Sequence, residues 1–544
     1  LIRAKRVARV NGIVSSIFSY PYRDDDYFTM ARSLVKRIGS VRPVMNGWAK
    51  ILLIHFIPIF LKRNFVPLPH DVDLSVENWL NNTSYTEKEK QKFRELDDKI
   101  NGLMKRKYLM AKCFMKEEYY ESIIKEGRGI FSRSDEVKIL IGPIIKQIEN
   151  HQYMNKNFIK HVPVSERPSY IFDWLHKTGD VGESDYTAFE SHFDKEMMEL
   201  VDFSFYDYMT KNIHDTRKEI VHEFSGVNDL WFKDFKVKLK ATRLSGEMTT
   251  SSFNGFANFL FLQFVACYCH SYFIKTGKRL QSFEEIDFMI TDSELSNLQI
   301  PCVVEGDDGL ARYWFGLPND KLYEECGLKM KLKLHNSLST ASFCGIVFDE
   351  DTKESLTNPI KHLIKTGWLS SRYVNAKISK RKMLIRAKAF SLVHQFPNCP
   401  ILRSFGNYIL RHTKHMHSAM IHYIQNTKFL DRYEKELFLT YANKNLPEEK
   451  EITVGSRMVV ESVYNVPIEI QLNIERYFDT CKELKEIPTD LILDIVPLDC
   501  IIYSNSYVFR VPEDSINVSS PVEYQTRGWR ELPVPFWDPD LNEK

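Results

Sequence analysis

The stretch Ile300-Pro301-Cys302-Val303-Val304-Glu305-Gly306-Asp307-Asp308-Gly309-Leu310 leaves the chain few conformational choices. An apolar, β-prone run ends in Glu-Gly-Asp-Asp, and apolar character resumes at Leu310, Tyr313 and Trp314, which is the pattern of a tight hairpin. Such a hairpin buries its flanks while pushing two adjacent carboxylates to its tip. Crowded carboxylates repel unless a cation lies between them, so the tip is a candidate Mg²⁺ or Mn²⁺ site. Taken alone the tetrad reads equally well as a solvated acidic turn. Its meaning depends on partners elsewhere in the chain.

Those partners occur in order. Ser184-Asp185-Tyr186-Thr187-Ala188-Phe189-Glu190 carries two acids five positions apart; Asp185 alone would also serve as a helix N-cap before Tyr186–Leu200. Ser245-Gly246-Glu247-Met248-Thr249-Thr250-Ser251-Ser252-Phe253-Asn254 leads into the apolar stretch Phe256–Val265, with Thr250 and Asn254 four apart and so on one helix face. Upstream, Lys116, Lys125, Arg128 and Arg133 form a basic cluster able to bind a triphosphate. Downstream, Gly327–His335 alternates basic and apolar residues, the period of a half-exposed strand. Ser342–Phe348 follows as a short apolar segment.

In this order the segments resemble motifs F, A, B, C, D and E of the RNA-dependent RNA polymerases of positive-strand RNA viruses. The likeness runs from Lys116 to about Phe348. Gly142, Lys146, Ile148 and Glu149 have spacings similar to those of tombusvirus-like polymerases, whereas Asp-Tyr-Thr-Ala-Phe-Glu departs from the tombusvirus pattern and leaves the subfamily, tombusvirus-like or flavivirus-like, open. The resemblance implies an α+β right-hand fold with an antiparallel palm sheet and a helical thumb. Residues 1–100 would be an N-terminal extension linking fingers and thumb, and 101–180 fingers with motif F. Residues 181–350 would be palm with an inserted fingers segment, 351–480 thumb, and 481–544 a C-terminal tail.

The resemblance further implies template-directed RNA synthesis with two Mg²⁺ or Mn²⁺ ions held by Asp185, Asp307 and Asp308. Lys116, Lys125, Arg128, Arg133, Ser245, Gly246, Thr250, Asn254 and Glu190 would bind the nucleotide, with Glu190 standing where Asp is usual. The motif D general acid would be His335, with Lys333 its rival. Implied partners are template and product RNA, ribonucleoside triphosphates and other viral replicase proteins. The implied location is the host cytoplasm, including membrane-associated replication complexes or virions. Two alternatives stay open: a reverse transcriptase, and a non-catalytic RNA-binding replicase scaffold.

Charge distribution adds a surface. The 544 residues carry a formal net charge of only +2, yet no acid falls between Glu354 and Asp431. An acid-free basic segment is the footprint of a surface that follows a phosphate backbone, and Lys377, Lys380, Arg381, Lys382, Arg386 and Lys388 are expected to bind RNA there. From Cys481 onward acids outnumber bases, twelve to six. The terminal Pro533–Asp540 is expected to form an extended strap over the basic cleft or a tail on the thumb's outer face.

Nine cysteines without a CxxC pair fit a reducing compartment. Cys267, Cys269 and His270 read as part of a buried helix or as partial zinc ligands. Trp48–Leu61 falls short of the ~20 apolar residues of a spanning helix and is expected to be a buried helix joining fingers to thumb, or to dip into an interface. Thr86–Lys99 reads as an exposed helix. No secretory signal and no GxxxxGK loop is visible. Leu1 leads to the expectation of a cleavage product, a read-through segment or an expressed piece.

Overall fold

The hairpin forms the edge of a four-stranded antiparallel sheet. In spatial order its strands are Cys302–Glu305, Asp308–Tyr313, Asp180–Tyr186 and Met330–His335, with Glu305 opposite Asp308 and Ser184 opposite Gly309. The molecule, a computed structural model, is α+β and describes residues 8–9, 18–23, 26–369, 373, 375–427, 430 and 432–507.

Behind the sheet lies the helix Thr250–Thr276. It is apolar on almost every side, which obliges it to be covered all round. The helix Gly47–Asn64 covers one side, with Phe56 against Phe264 (ring centroids 5.3 Å apart) and Phe60 against Phe259 (5.0 Å). Phe205 stacks on Phe256 at 4.2 Å. Among the described residues Thr250–Thr276 alone is long and apolar enough to cross a membrane, and it sits in the core. His270, on the same helix, places Nδ1 3.3 Å from the Leu298 carbonyl and stacks on Trp314, and Cys267 is fully buried.

The apolar stretch Trp48–Leu61 lies within the helix Gly47–Asn64, which buries Leu52, Leu53, Phe56, Ile57, Phe60 and Leu61 and leaves Ile51 and Ile54 exposed. Upstream of it the chain reaches two further cores. Phe18 and Tyr20 join the C-terminal helical core, while Met30 and Ile38 pack under a second sheet. Thr86 caps the helix Glu87–Ile100 through a capping box with Glu89.

The second sheet is assembled from two distant parts of the chain. Gly129–Arg133 pairs antiparallel with Ala111–Met115, which pairs parallel with Asn228–Trp231, which in turn pairs with Lys236–Leu239. The chain thus leaves the central sheet after Tyr186, completes the lateral sheet, and returns as the long helix. Fixing 228–239 beside 111–133 also fixes Leu244–Gly246, since the Phe131 N–H donates to the Ser245 carbonyl at 2.8 Å.

After Phe348 the chain is mostly helical, and Leu384, Phe405, Tyr408, Ile474, Phe478 and Cys500 share one core. Residues 481–507, expected as tail, largely belong to this unit: Ile487, Ile492 and Val496 are buried in it. The strap Pro533–Asp540 lies outside the described residues.

The aromatic seam between Gly47–Asn64 and Thr250–Thr276 predicts a large cavity cost. Phe259→Ala is expected to destabilise by about 3–5 kcal/mol, read as a clear drop in Tm by scanning fluorimetry. Leu472→Ala, on a half-exposed side chain, should leave Tm within about 1 °C.

Candidate active site

The turn Gly306–Asp307 stands at one end of the central sheet, and the register carries Asp185 to the same level, one step past the Ser184–Gly309 pair. Gly306 adopts φ +63°, a conformation a residue with a Cβ rarely takes. Gly309 is needed for closeness: a Cβ there would meet Ser184 Oγ at 2.7 Å and Asn258 Nδ2 at 3.1 Å.

Those two side chains hold the turn. Ser184 Oγ reaches the Asp307 carbonyl (3.5 Å) and the Gly309 carbonyl (3.3 Å) from the neighbouring strand. Asn258, from the long helix, donates both amide hydrogens, to the Gly306 carbonyl at 3.1 Å and the Asp308 carbonyl at 3.0 Å. Tyr186 donates its hydroxyl to Asn258 Oδ1 at 3.2 Å. Asn258 did not figure in the sequence reading. Its signal was its place four residues after Asn254, on the same helix face.

The carboxylates are strained electrostatically. Burial, and then the nearby Glu190, push the Asp307 carboxyl above the usual carboxylate range. Burial, and then Asp307, push Asp308 up to about 6. Both side chains are exposed at the tip of the hairpin, so solvent tempers these shifts. Cations moderate this: Arg128 and Arg37 pull Asp307 down. Arg37 comes from the N-terminal segment and was not expected at the site.

Among the described residues no three acidic, histidine or cysteine side chains are already gathered as a metal cage. The donors the turn offers are all oxygens, the set that suits a hard divalent cation.

The basic hairpin sits across from the turn. Glu118 holds both Lys116 (3.1 Å) and Arg128 (3.3 Å), and each of these cations remains about half exposed. Lys125 is exposed nearer the tip of the same loop. Arg133 must be reassigned. Its Nε donates to Glu247 at 2.6 Å, one terminal nitrogen bonds the Leu109 carbonyl, and the other bonds Asn228 Oδ1 at 2.6 Å. Buried with every nitrogen engaged, Arg133 ties the lateral sheet to the loop before the long helix and does not face a nucleotide.

Asn254 donates Nδ2 to Glu190 Oε1 at 3.3 Å, so the longer acid does reach it. Thr250 Oγ1 donates to the Leu244 carbonyl at 2.7 Å, and Ser245 and Gly246 lie in the loop pinned by Phe131.

His335 is also corrected. It pairs with Val181, four residues beyond the Lys331–Asp185 pair. At about 3.3 Å per residue this puts it roughly 13 Å down the strand from the turn end. There its Nε2 lies 2.7 Å from Glu183 Oε2 and its Nδ1 3.1 Å from Thr340 Oγ1. Burial would raise Glu183, but His335 and the Ser342 N–H hold it below the usual range. His335 therefore braces Ser342–Phe348 against the sheet. Lys333 pairs with Glu183, also short of the turn end. The lysines at the turn end are Lys331, opposite Asp185, and exposed Lys329, whose Nζ contacts Ser40 Oγ at 3.3 Å.

The basic face of the C-terminal unit is narrower than expected. On the helix Ile378–Gln395, Lys377 (its N-cap) and Lys380 are exposed and Lys382 is half-buried. Arg381 and Arg386 point inward. Arg386 donates to the Leu410 carbonyl at 2.8 Å and Thr413 Oγ1 at 3.2 Å. Lys388 turns towards Trp368, donating to its carbonyl at 3.3 Å, and burial pushes its ammonium down to about 8. Burial and these bonds, rather than a surface position, take Arg381, Arg386 and Lys388 out of an RNA-facing set.

No protein-family model matches the chain, and no curated protein matches it.

The raised carboxyls make a pH prediction with a defined sign. Asp307 and Asp308 hold protons more tightly folded than unfolded. Their contribution to stability is therefore complete below the ordinary carboxylate range and is lost as pH rises above it, through about 6 for Asp308. In metal-free buffer at pH 7.5, Asp308→Asn should raise Tm by roughly 1–2 °C, and millimolar Mn²⁺ should raise Tm of the parent protein but not of the variant. A Mn²⁺ shift that persists undiminished in Asp308→Asn would place the cation elsewhere.

Proposed function

We propose that the chain is an RNA-dependent RNA polymerase of right-hand architecture, acting in the replication of a positive-strand RNA virus. In this reading the central sheet with the long helix is the palm, the lateral sheet belongs to the fingers, and the C-terminal helices are the thumb. The observation that carries the reading is convergence. Asp185, the Asp307–Asp308 turn, the Glu190–Asn254 pair and the Lys116–Arg128 hairpin come from four separated segments and meet at one end of one sheet.

Asp185, Asp307 and Asp308 would hold two Mg²⁺ or Mn²⁺ ions; the fit rests on the oxygen-only donors and on the upward shift of two carboxyls that a cation would relieve. When bound, the ions supply positive charge at the reacting phosphate and acidify the attacking 3′-hydroxyl. The protein's own groups do the rest. Arg128 and Lys116 exchange Glu118 for the triphosphate oxygens and orient them. Glu190 and Asn254 receive the ribose. Lys331 or Lys329, at the turn end, is placed to protonate the departing pyrophosphate, a role that needs a donor beside the reacting end of the sheet. Template and product RNA follow the exposed Lys377–Lys380 face. Other viral replicase proteins and a host cytoplasmic site belong to the same proposal.

The decisive assay is RNA-templated incorporation of labelled ribonucleotides, with the parent protein beside Asp307→Asn and with Mg²⁺ or Mn²⁺ supplied. Product from the parent and a loss of at least about a hundredfold in the variant is the expected result. Equal product from both would disprove the site. Preference for deoxynucleotides would indicate a reverse transcriptase, and RNA binding without synthesis a scaffold.

Charge reversal at Lys377 and Lys380 should weaken RNA binding several-fold and reduce the slope of log affinity against log salt by about two. An unchanged slope would remove the assignment of that face.

A further inference from the structure

A chain of buried polar groups runs behind the Glu190–Asn254 pair. Asp202 is fully buried and forms a two-point ion pair with Arg243: Nε donates to Oδ2 at 3.2 Å and a terminal nitrogen bonds Oδ1. The guanidinium lies over the Phe193 ring, 3.3 Å from its centroid. Its other terminal nitrogen donates to Asn254 Oδ1, and Asn254 Nδ2 donates to Glu190 Oε1 at 3.3 Å. Four side chains from three segments thus form one directed sequence, Asp202, Arg243, Asn254, Glu190.

Direction is the informative property. A carboxamide has an acceptor end and a donor end of nearly the same shape, and only its neighbours choose between them. Arg243 has no acceptor, so the group it meets must be Oδ1. The amide nitrogen then faces Glu190, which as a carboxylate can only accept. Flipping the amide would set donor against donor and acceptor against acceptor inside a dry core, where each mismatch is costly.

We infer that Arg243, clamped by Asp202, is a positioning residue for ribose selection: it locks the Asn254 amide so that the Glu190–Asn254 pair is set to receive a 2′-hydroxyl. The inference rests on the polymerase reading and deepens it. With Oε1 of Glu190 taken by Asn254, the second carboxylate oxygen is left to accept a hydroxyl hydrogen. The second amide hydrogen of Asn254 is left to donate to the hydroxyl oxygen. A deoxyribose satisfies neither, and a site built to bond a hydroxyl strongly rejects the analogue lacking it. Glu190 has one more rotatable bond than an aspartate, so more freedom must be removed before it can discriminate. The Arg243-fixed amide removes it. A buried ion pair is a poor way to gain stability alone, since burying both charges costs about what their attraction returns.

The test is the ratio of kcat/KM for ATP over dATP on an RNA template, measured for the full chain and for Arg243→Lys, Asp202→Asn and Asn254→Ala, with folding checked by thermal melt. Arg243→Lys should lower the ratio about tenfold, mainly by loss with ATP, and should lower it no further when added to Asn254→Ala. Equal loss with both nucleotides, or an undiminished effect in the Asn254→Ala background, would make Arg243 a purely structural residue and overturn the inference. Should Arg243→Lys not fold, the nearly isosteric Asp202→Asn carries the same readout, and a folded Asp202→Asn with unchanged ratio overturns it. A parent protein that incorporates neither nucleotide overturns the polymerase reading and this inference with it.

Discussion

Asn258 joins the helix Thr250–Thr276 to the backbone of the Gly306–Asp308 turn, and the geometry of the candidate site depends on that junction. A turn that carries two adjacent carboxylates tends to open, because opening relieves their repulsion. Two carbonyls flanking the turn accept hydrogen bonds from one buried amide, and Ser184 adds bonds from the neighbouring strand. The amide has no third hydrogen to spare, and its oxygen is taken by Tyr186. Every polar atom of Asn258 is therefore committed, as a buried polar group must be if it is to stabilise rather than cost. The all-round apolar helix supplies the rigid base from which it reaches.

The same helix organises charge on its other polar positions. Asn254, one turn before Asn258, receives Arg243 and passes a donor to Glu190, so one helix face fixes both the carboxylate turn and the neighbouring acid. Around this face the fold places compensating ions at graded depth. Arg243 and Asp202 are fully interior, Arg133 and Glu247 tie the lateral sheet to the loop before the helix, and Lys116, Arg128 and Glu118 lie at the surface. The interior pairs set geometry and are costly to break. The surface triad, screened by water, is weak and readily exchanged.

This gradient explains what could be read from the sequence and what could not. The hairpin was legible because glycine and adjacent acids between β-prone runs have one good local solution, and the order of acidic, polar and basic segments then brought Asp185, Asn254 and Arg128 to the same place. Depth was not legible. Arg133, Arg381 and Arg386 look like surface cations in a linear reading, yet all three are buried, and Arg133 and Arg386 bond partners 24 or more residues away. Counting from Gly327 selected His335 for a role at the turn end, whereas the antiparallel register places Lys331 there and leaves His335 to brace Glu183. Asn258 and Asp202 went unnoticed because a lone polar residue in an apolar run is informative only once its partner is known, and Arg243 because it stands in a basic stretch, Lys236–Gly246, that reads as solvated surface.

The lateral sheet connects the candidate site to the rest of the molecule. Its central strand takes a parallel neighbour from Asn228–Trp231, so the segment between Tyr186 and Thr250 cannot shift without disturbing Ala111–Met115. The hairpin bearing Lys116 and Arg128 is an extension of those strands, and beyond it Arg23 gathers the carbonyls of Ser122, Ile123 and Lys125, while the Ile123 N–H donates to Asp499 at 3.0 Å. Lys361 reaches Glu121 at 3.0 Å from the helical unit. The basic hairpin is thus held at both ends, by the sheet at its base and by the C-terminal unit at its tip. A loop anchored in this way has little conformational freedom left, and it holds Arg128 within electrostatic reach of both Asp307 and Asp308, where it opposes the upward push on their carboxyls.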